Sequence, residues 1–398
     1  MSSTAAVLLV DRFATSIRRL ATVAVIAAGA ACSRPGGGGA AAGPVVEPSI
    51  VTERVPHDAD DPAIWLHPTD RSRSLILGTD KDADGALVVF DLEGKVVKTV
   101  RGLRRPNNVD VEYGLRLGGA TADIAVVTER YASKIRVFSL PDMKEIDGGG
   151  IPVFEGEAER EPMGIALYKR PADGVIFAVV GRKSGPTSGG YLWQYRLEDD
   201  GAGRVRGTVV RRFGLWSGRK EIEAIAVDDA LGFVYYSDEG VGVRKYPADP
   251  DAVDAGRELA LFGTSGFTED QEGISIYQLE NGTGYILVSD QAAKRFHVFP
   301  REGEPGKPHS HPLVKTVRVR ANQSDGSEAT SAALGPRFPG GLLVAMSDDG
   351  RFHFYSWTSR PTAWPPGRDE WPCPDAFRGY SQQKAMRPSP ALPQPSPA

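Results

Sequence analysis

Two cysteines, Cys32 and Cys373, are all that 398 residues contain, so no disulfide framework holds the fold and no CxxC metal site exists. Histidine is also scarce. The six are His57, His67, His297, His309, His311 and His353; none lies in an RHG or HExxH context, which leaves a histidine nucleophile and a helical zinc site without support. No GxSxG marks a serine nucleophile. No segment shows a sustained helical period, and after the first 31 residues none is long and apolar enough to span a membrane. A surplus of positive charge is missing too. With 47 Lys and Arg against 51 Asp and Glu, the net charge of −4 excludes a nucleic-acid binder that works by neutralising phosphates.

The two ends of the chain read as non-domain sequence. Arg12, Arg18 and Arg19 precede an apolar run, Ala21–Ala31, of the length of an export-signal core. It ends at Ala30-Ala31-Cys32, so residues 1–31 are expected to be a signal peptide, with lipidation at Cys32 and ordinary cleavage as alternatives. Residues 32–45, rich in Gly and Ala, form a flexible linker, and residues 358–398 a Pro-rich tail. The expected location is periplasmic, outer-membrane lipoprotein or extracellular. The only membrane contact foreseen is a lipid on Cys32.

Between these ends, over residues 46–357, one pattern recurs about every 50–60 residues, the spacing of a propeller blade. Each copy starts with an acid or glycine, continues through two apolar strands, then a turn with charged or small residues, and closes on a third strand ending in an aromatic residue. The copies begin at Asp61, Asp110, Met163, Glu223, Glu272 and Glu328. The expected fold is all-β, a six-bladed β-propeller, with a pair of β-sandwiches as the alternative. In a propeller the inner strands line one channel, so Asp60, Asp61, Asp110, Glu223, Glu272 and Glu328 are expected to converge. Converging carboxylates need compensation, and calcium (Ca2+), which takes six to eight oxygen ligands, suits them. The turns after the second strands carry Lys81, Arg130 and Arg182-Lys183 in the first three copies. In the last three they carry Asp238-Glu239, Asp290 and Asp348-Asp349. That segregation suits a phosphate site beside a cation site. Trp65 and Trp193 read as inter-blade core, and Asn107-Asn108 as either an Asx turn or calcium-facing oxygens.

The motifs DADDPAIW from Asp58, GTDK from Gly78, DLEGK from Asp91 and PNNVD from Pro106 with Tyr113 resemble those of the β-propeller phytases. The resemblance continues through Glu223 with Ala-Ile-Ala-Val-Asp-Asp, Asp238-Glu239, Asp270-Gln-Glu-Gly-Ile and Asn322-Gln-Ser-Asp-Gly, and spans Glu53 to Trp357. It implies a calcium-dependent 3-phytase that releases phosphate from phytate and lower inositol phosphates, acting as a monomer with several calcium ions. It also implies calcium ligands at Asp60, Asp61, Asn108, Asp110, Glu223, Asp238, Asp270, Glu272, Asp325 and Glu53. Lys81, Arg130, Lys183 and Arg182 correspond to phosphate-binding bases, with Asp60, Glu223, Lys81 and Arg130 catalytic. The expected mechanism is in-line attack by a metal-activated water. The chain departs from the family pattern at Met163, where many relatives have Tyr, and at Ala224, where they have Gly. Alternatives are a calcium-dependent propeller lactonase or esterase, and a non-catalytic exported binding module.

Overall fold

The computed structural model describes residues 44–357. The signal, lipidation and tail expectations fall outside these residues. Short runs of Val, Ile and aromatic residues, broken by Gly and Asp turns, form the antiparallel strands of six sheets. Among the described residues no α-helix occurs, only three 3-10 turns, and no helix is long and apolar enough to cross a membrane.

The inner strands are Ala59–Trp65, Pro106–Leu117, Pro162–Lys169, Ile225–Asp228, Gln271–Gln278 and Ser327–Thr330. Each touches the next, and the sixth returns to the first, so the sheets close into a six-bladed β-propeller. Alternate side chains of each blade face the blades on either side. The apolar core is accordingly divided into six clusters, one per blade-to-blade interface. Trp65 lies in the interface of blades 1 and 2 and Trp193 in that of blades 2 and 3, both as core residues.

Closure uses the N-terminal end of the described chain. Ile50–Val51 pairs antiparallel with Arg351–Ser356 and supplies the outer strand of blade 6. Val45–Val46 pairs parallel with Lys315–Val319 at the outer edge of blade 5. The strand Ala59–Trp65 is thus the first inner strand of the ring, though two edge strands precede it in the chain.

Candidate active site

Four of the inner strands begin with a shift in register, directly before Pro62, Val109, Ile165 and Ile274. The unpaired residue of such a bulge twists the strand and re-aims its side chains. Counting back two residues from the first regularly paired residue of each blade gives Asp60, Asn107, Met163, Glu223, Glu272 and Asp325. These form the upper tier of the channel. The residues that follow sit against the neighbouring inner strand. A Cβ on Gly164 would overlap the Glu223 carbonyl oxygen, and one on Gly326 would lie 2.5 Å from Asp61 Oδ1. The equivalent Ala224 packs its methyl into the core between blades 4 and 5 and is not in a left-handed conformation, so no glycine is required there.

The second strand of each blade ends on a buried polar residue that anchors the loop leading into the inner strand. Asp80 accepts the His57 and Asp58 amides at 2.8 and 2.9 Å, and Glu129 the Arg104 amide at 2.9 Å. Asp238 accepts the Ser217 amide at 3.0 Å, Asp290 that of Thr268 at 3.0 Å, and Ser347 that of Asn322 at 3.2 Å. Blade 3 inverts the polarity: Arg182, fully buried, donates to the Glu159 and Gly190 carbonyls and to Glu157. The residue after each latch is therefore the one delivered to the channel mouth. Those residues are Lys81, Arg130, Lys183, Glu239 and Gln291; in blade 6 the corresponding Asp348 is exposed and accepts from Asn322 Nδ2 at 2.5 Å.

Two tiers of side chains meet there. Lys81 Nζ contacts Asp60 Oδ1 and lies 3.8 Å from Glu223 Oε1 and 3.6 Å from Asp325 Oδ2. Carboxylate oxygens of Glu223, Glu239 and Glu272 lie within 4.8 Å of one another. Asn107 Nδ2 donates to Glu223 and, at 3.2 Å, to Asp60, while Gln291 donates to Asp325. Arg130 pairs with Glu161 at 2.9 Å and Lys183 with Glu221. Asp270 is held by the Lys220 ammonium at 2.6 Å.

The electrostatics follow from burial and crowding. Glu239 is pushed up to about 8, first by burial and then by Glu223 and Asp270. Glu272 is raised well above the carboxylate range by burial, Glu239 and Glu223, and Asp325 to about 6 by burial and Glu223 against the pull of Lys81. Burial alone would lower Lys81, but Asp60, Glu223 and Asp325 carry it above its ordinary value.

Several expected ligands take other places. Asp238 is fully buried, bonded to Ser217 and paired with Arg244 at 2.8 Å, so it serves as a latch and its neighbour Glu239 joins the cluster. Arg182 is likewise a latch, and Lys183 is the base at the mouth. Glu53 lies at the exposed rim, accepting from the Val96 amide at 2.8 Å and paired with Lys95 at 3.2 Å. Asp110 and Glu328 are three residues further along their strands than the upper tier. Asp110 accepts the Leu167 and Val111 amides at 2.6 Å, and Asp61 the Val109 amide at 3.0 Å. With Glu112, Asp229 and Glu328 they line a lower cavity of about 330 Å³. Asn108 makes no turn: its amide bonds Thr128 Oγ1 at 3.0 Å, its Oδ1 accepts from Asn107, and its side chain hydrogen-bonds Asp61 in the lower cavity. Asn107 is the asparagine that reaches the upper-tier acids Asp60 and Glu223. Strand alternation beyond the latch residue was the signal that separates Glu239 from Asp238 and Lys183 from Arg182.

The donor set is oxygen throughout, and Glu272 Oε2 and Asn107 Oδ1 are buried with no hydrogen-bonding partner. Such an arrangement fits a hard divalent cation, which would use the lone pairs left over and relieve the crowded charge.

Fold and site together define a class of β-propeller in which a cluster of acids suited to a cation and a set of bases share one channel mouth. A family model described as Phytase matches residues 18–352. The 3-phytase of Bacillus subtilis (strain 168) is 30% identical over 298 residues, covering 73% of this chain and 75% of that protein. The chain belongs to the phytase family and is an enzyme of it, a phosphoric monoester hydrolase. Among solved structures, Kuenenia stuttgartiensis hydrazine synthase is similar at 11% identity with a TM-score of 0.45, over 74% of this chain and 82% of that one, too remote a likeness to bear on function.

Proposed function

We propose that this protein is a calcium-dependent phosphomonoesterase that releases inorganic phosphate from phytate and lower inositol phosphates by direct attack of water. The observation that carries the reading is the division of the mouth. Equivalent positions hold Lys81, Arg130 and Lys183 in blades 1–3, while Glu223, Glu239, Glu272 and Asp325 come from blades 4–6.

Glu223, Glu239 and Glu272, with Asp60 and Asp325, would hold calcium, and Asp270 joins them when Lys220 releases it. Asp61 and Asp110 in the lower tier provide for a further ion. Calcium, when bound, supplies positive charge to an anionic ester and lowers the pKa of water. Lys81, freed from Asp60, neutralises charge on the transferring oxygens, the main requirement in phosphoryl transfer. Arg130 presents a planar fork to two phosphate oxygens, and Lys183 a point charge. Asn107 orients Glu223 and Asp60 through its amide donors. Export and a monomeric state belong to the same proposal; the intact mass of membrane and soluble fractions distinguishes a lipidated Cys32 from ordinary cleavage.

The test is phosphate release from phytate by the purified chain with calcium, with EDTA, and with Asp60→Ala. Release is expected only from the wild type with calcium. Release unaffected by chelation contradicts calcium dependence. Lactone turnover without phytate turnover selects the esterase alternative, and no turnover at all the binding module.

A further inference from the structure

Lys81 and Lys220 both reach the acids of the mouth, but they are held differently. Lys81 is mostly buried and is shared among Asp60, Glu223 and Asp325. The Lys220 side chain is 49% exposed and serves one carboxylate, with Nζ 2.6 Å from both Asp270 Oδ1 and Asp270 Oδ2. A cation on both oxygens of a carboxylate takes the place of a bidentate metal ion. Asp270 first, then Glu239 and Glu269, hold this ammonium above the ordinary lysine range against burial, so it faces the acidic trio as well as its own partner.

The loop that carries Lys220 is fixed in its backbone. Ser217 donates its amide and hydroxyl to Asp238 at 3.0 and 2.7 Å, and Gly218, at φ +73°, makes the turn. Trp216 Nε1 donates to the Lys220 carbonyl at 2.8 Å, and the Glu221 carbonyl accepts from the Glu239 amide at 3.2 Å. Movement is therefore left to the side chains. An ion pair this exposed is weakly held, so exchanging its ammonium for a dissolved cation costs little. Glu221 makes the inverse contact, placing its carboxylate on Lys183. Consecutive residues thus set a positive charge on the acidic side of the mouth and a negative charge on the basic side, the arrangement that a metal ion and an anionic ester bring.

We infer that Lys220 is a tethered counter-cation: its ammonium neutralises Asp270 until a divalent ion displaces it, and this exchange sets the calcium concentration at which the mouth loads. The inference rests on the calcium reading above. Lys220 suits the part better than Lys81, because it has one partner to give up instead of three and a solvent-facing path along which to leave. The same contact keeps Asp270 compensated when calcium is scarce, so stability without calcium and affinity for calcium oppose each other at this residue.

The test uses the full chain with Lys220→Gln, which removes the charge, and Lys220→Arg, which keeps it. Calcium binding is followed by titration calorimetry, and melting is recorded in EDTA and at saturating calcium. Lys220→Gln should bind calcium about fivefold more tightly, melt below the wild type in EDTA, and reach at least the wild-type Tm in calcium. Lys220→Arg should bind calcium no more tightly than the wild type. In an Asp270→Asn background, Lys220→Gln should no longer change calcium affinity. Arg219, on the same loop, donates to the Gly240 carbonyl at 3.1 Å and controls for net charge: Arg219→Gln should leave calcium affinity unchanged. A Lys220→Gln protein that melts lower in both conditions without binding calcium more tightly overturns the inference, as does an equal gain in Arg219→Gln. A wild type that binds no calcium defeats the calcium reading and the inference with it, whereas a calcium-binding wild type beside an insensitive Lys220→Gln defeats only the role of Lys220.

Discussion

Asp238 and Glu239 are adjacent acids with opposite duties. Asp238 anchors Ser217 and neutralises Arg244, both deep in blade 4. Asp238→Ala leaves Arg244 with only Glu258 and should cost about 3 kcal/mol, read as a lowered midpoint in chemical denaturation. Glu239 instead lies against Glu223 and Glu272 with its carboxyl raised from 4.5 to about 8. The folded state therefore binds this proton more tightly than the unfolded chain. Its contribution is fully present below pH 4.5 and is lost as pH rises through about 8. Calcium bound as proposed would select the ionised form, so the rise in Tm on adding calcium should be small near pH 4.5 and grow towards pH 8. Glu239→Gln should flatten that trend, stabilise the metal-free protein and weaken calcium binding by about 10–100-fold. Melting curves with calcium and with EDTA at both ends of the pH range check this. Sequence alone marked both residues as an acidic pair but not which one faces the channel. The choice depends on strand register, because side chains alternate with a period of two and a bulge shifts the count.

At the scale of elements, the inner and second strands were legible because their Val, Ile and aromatic runs are short, regularly spaced and bounded by turn residues. The outer strands were less so, since their exposed faces need no apolar pattern: the start of Val96–Leu103 was legible from Val96-Val97 after the Glu93-Gly94 turn, whereas Val205–Phe213, with most of its middle exposed, was not. The closing strands Val45–Val46 and Ile50–Val51 were not legible at all. Each is two residues long, and its partner lies some 270 to 300 positions away. Ile50–Val51 nevertheless completes blade 6, and Val45–Val46 adds a fifth strand to blade 5. Arg351 Nη1 donates to the Thr52 carbonyl at 2.7 Å, and the Phe352 amide to Thr52 Oγ1 at 3.0 Å, extending the seam. Deleting the chain through Thr52 exposes the edge of Arg351–Ser356 and should lower Tm by about 10 °C, with aggregation through the open edge. A differential scan of the shortened chain, with light scattering, reads both effects. An unchanged melting profile would mean that closure does not depend on this seam.

The whole molecule explains why acids scattered over more than 260 positions, from Asp60 to Asp325, belong to one site. A ring of six equivalent sheets brings the same register position of every blade to one mouth, so the chemistry is distributed one or two residues per blade. Blades 1–3 contribute bases beyond the latch and blades 4–6 chiefly acids, so the mouth is polarised across its diameter. That polarity was visible in the turns of the sequence; the split of the acids into an upper tier and a lower cavity was not, because bulges at the start of the inner strands shift the alternation and spacing alone does not give depth. The upper-tier acids are proposed to hold calcium for hydrolysis of phosphate esters. Phosphate release from phytate across a calcium titration, for wild type and Glu272→Gln, tests it most directly. Glu272 has an unpartnered buried oxygen and lies in the acidic trio. Activity should rise with calcium in the wild type, and the variant should need at least about tenfold more calcium to reach half of its activity. A variant with an unchanged calcium requirement, or a wild type equally active in EDTA, would contradict it.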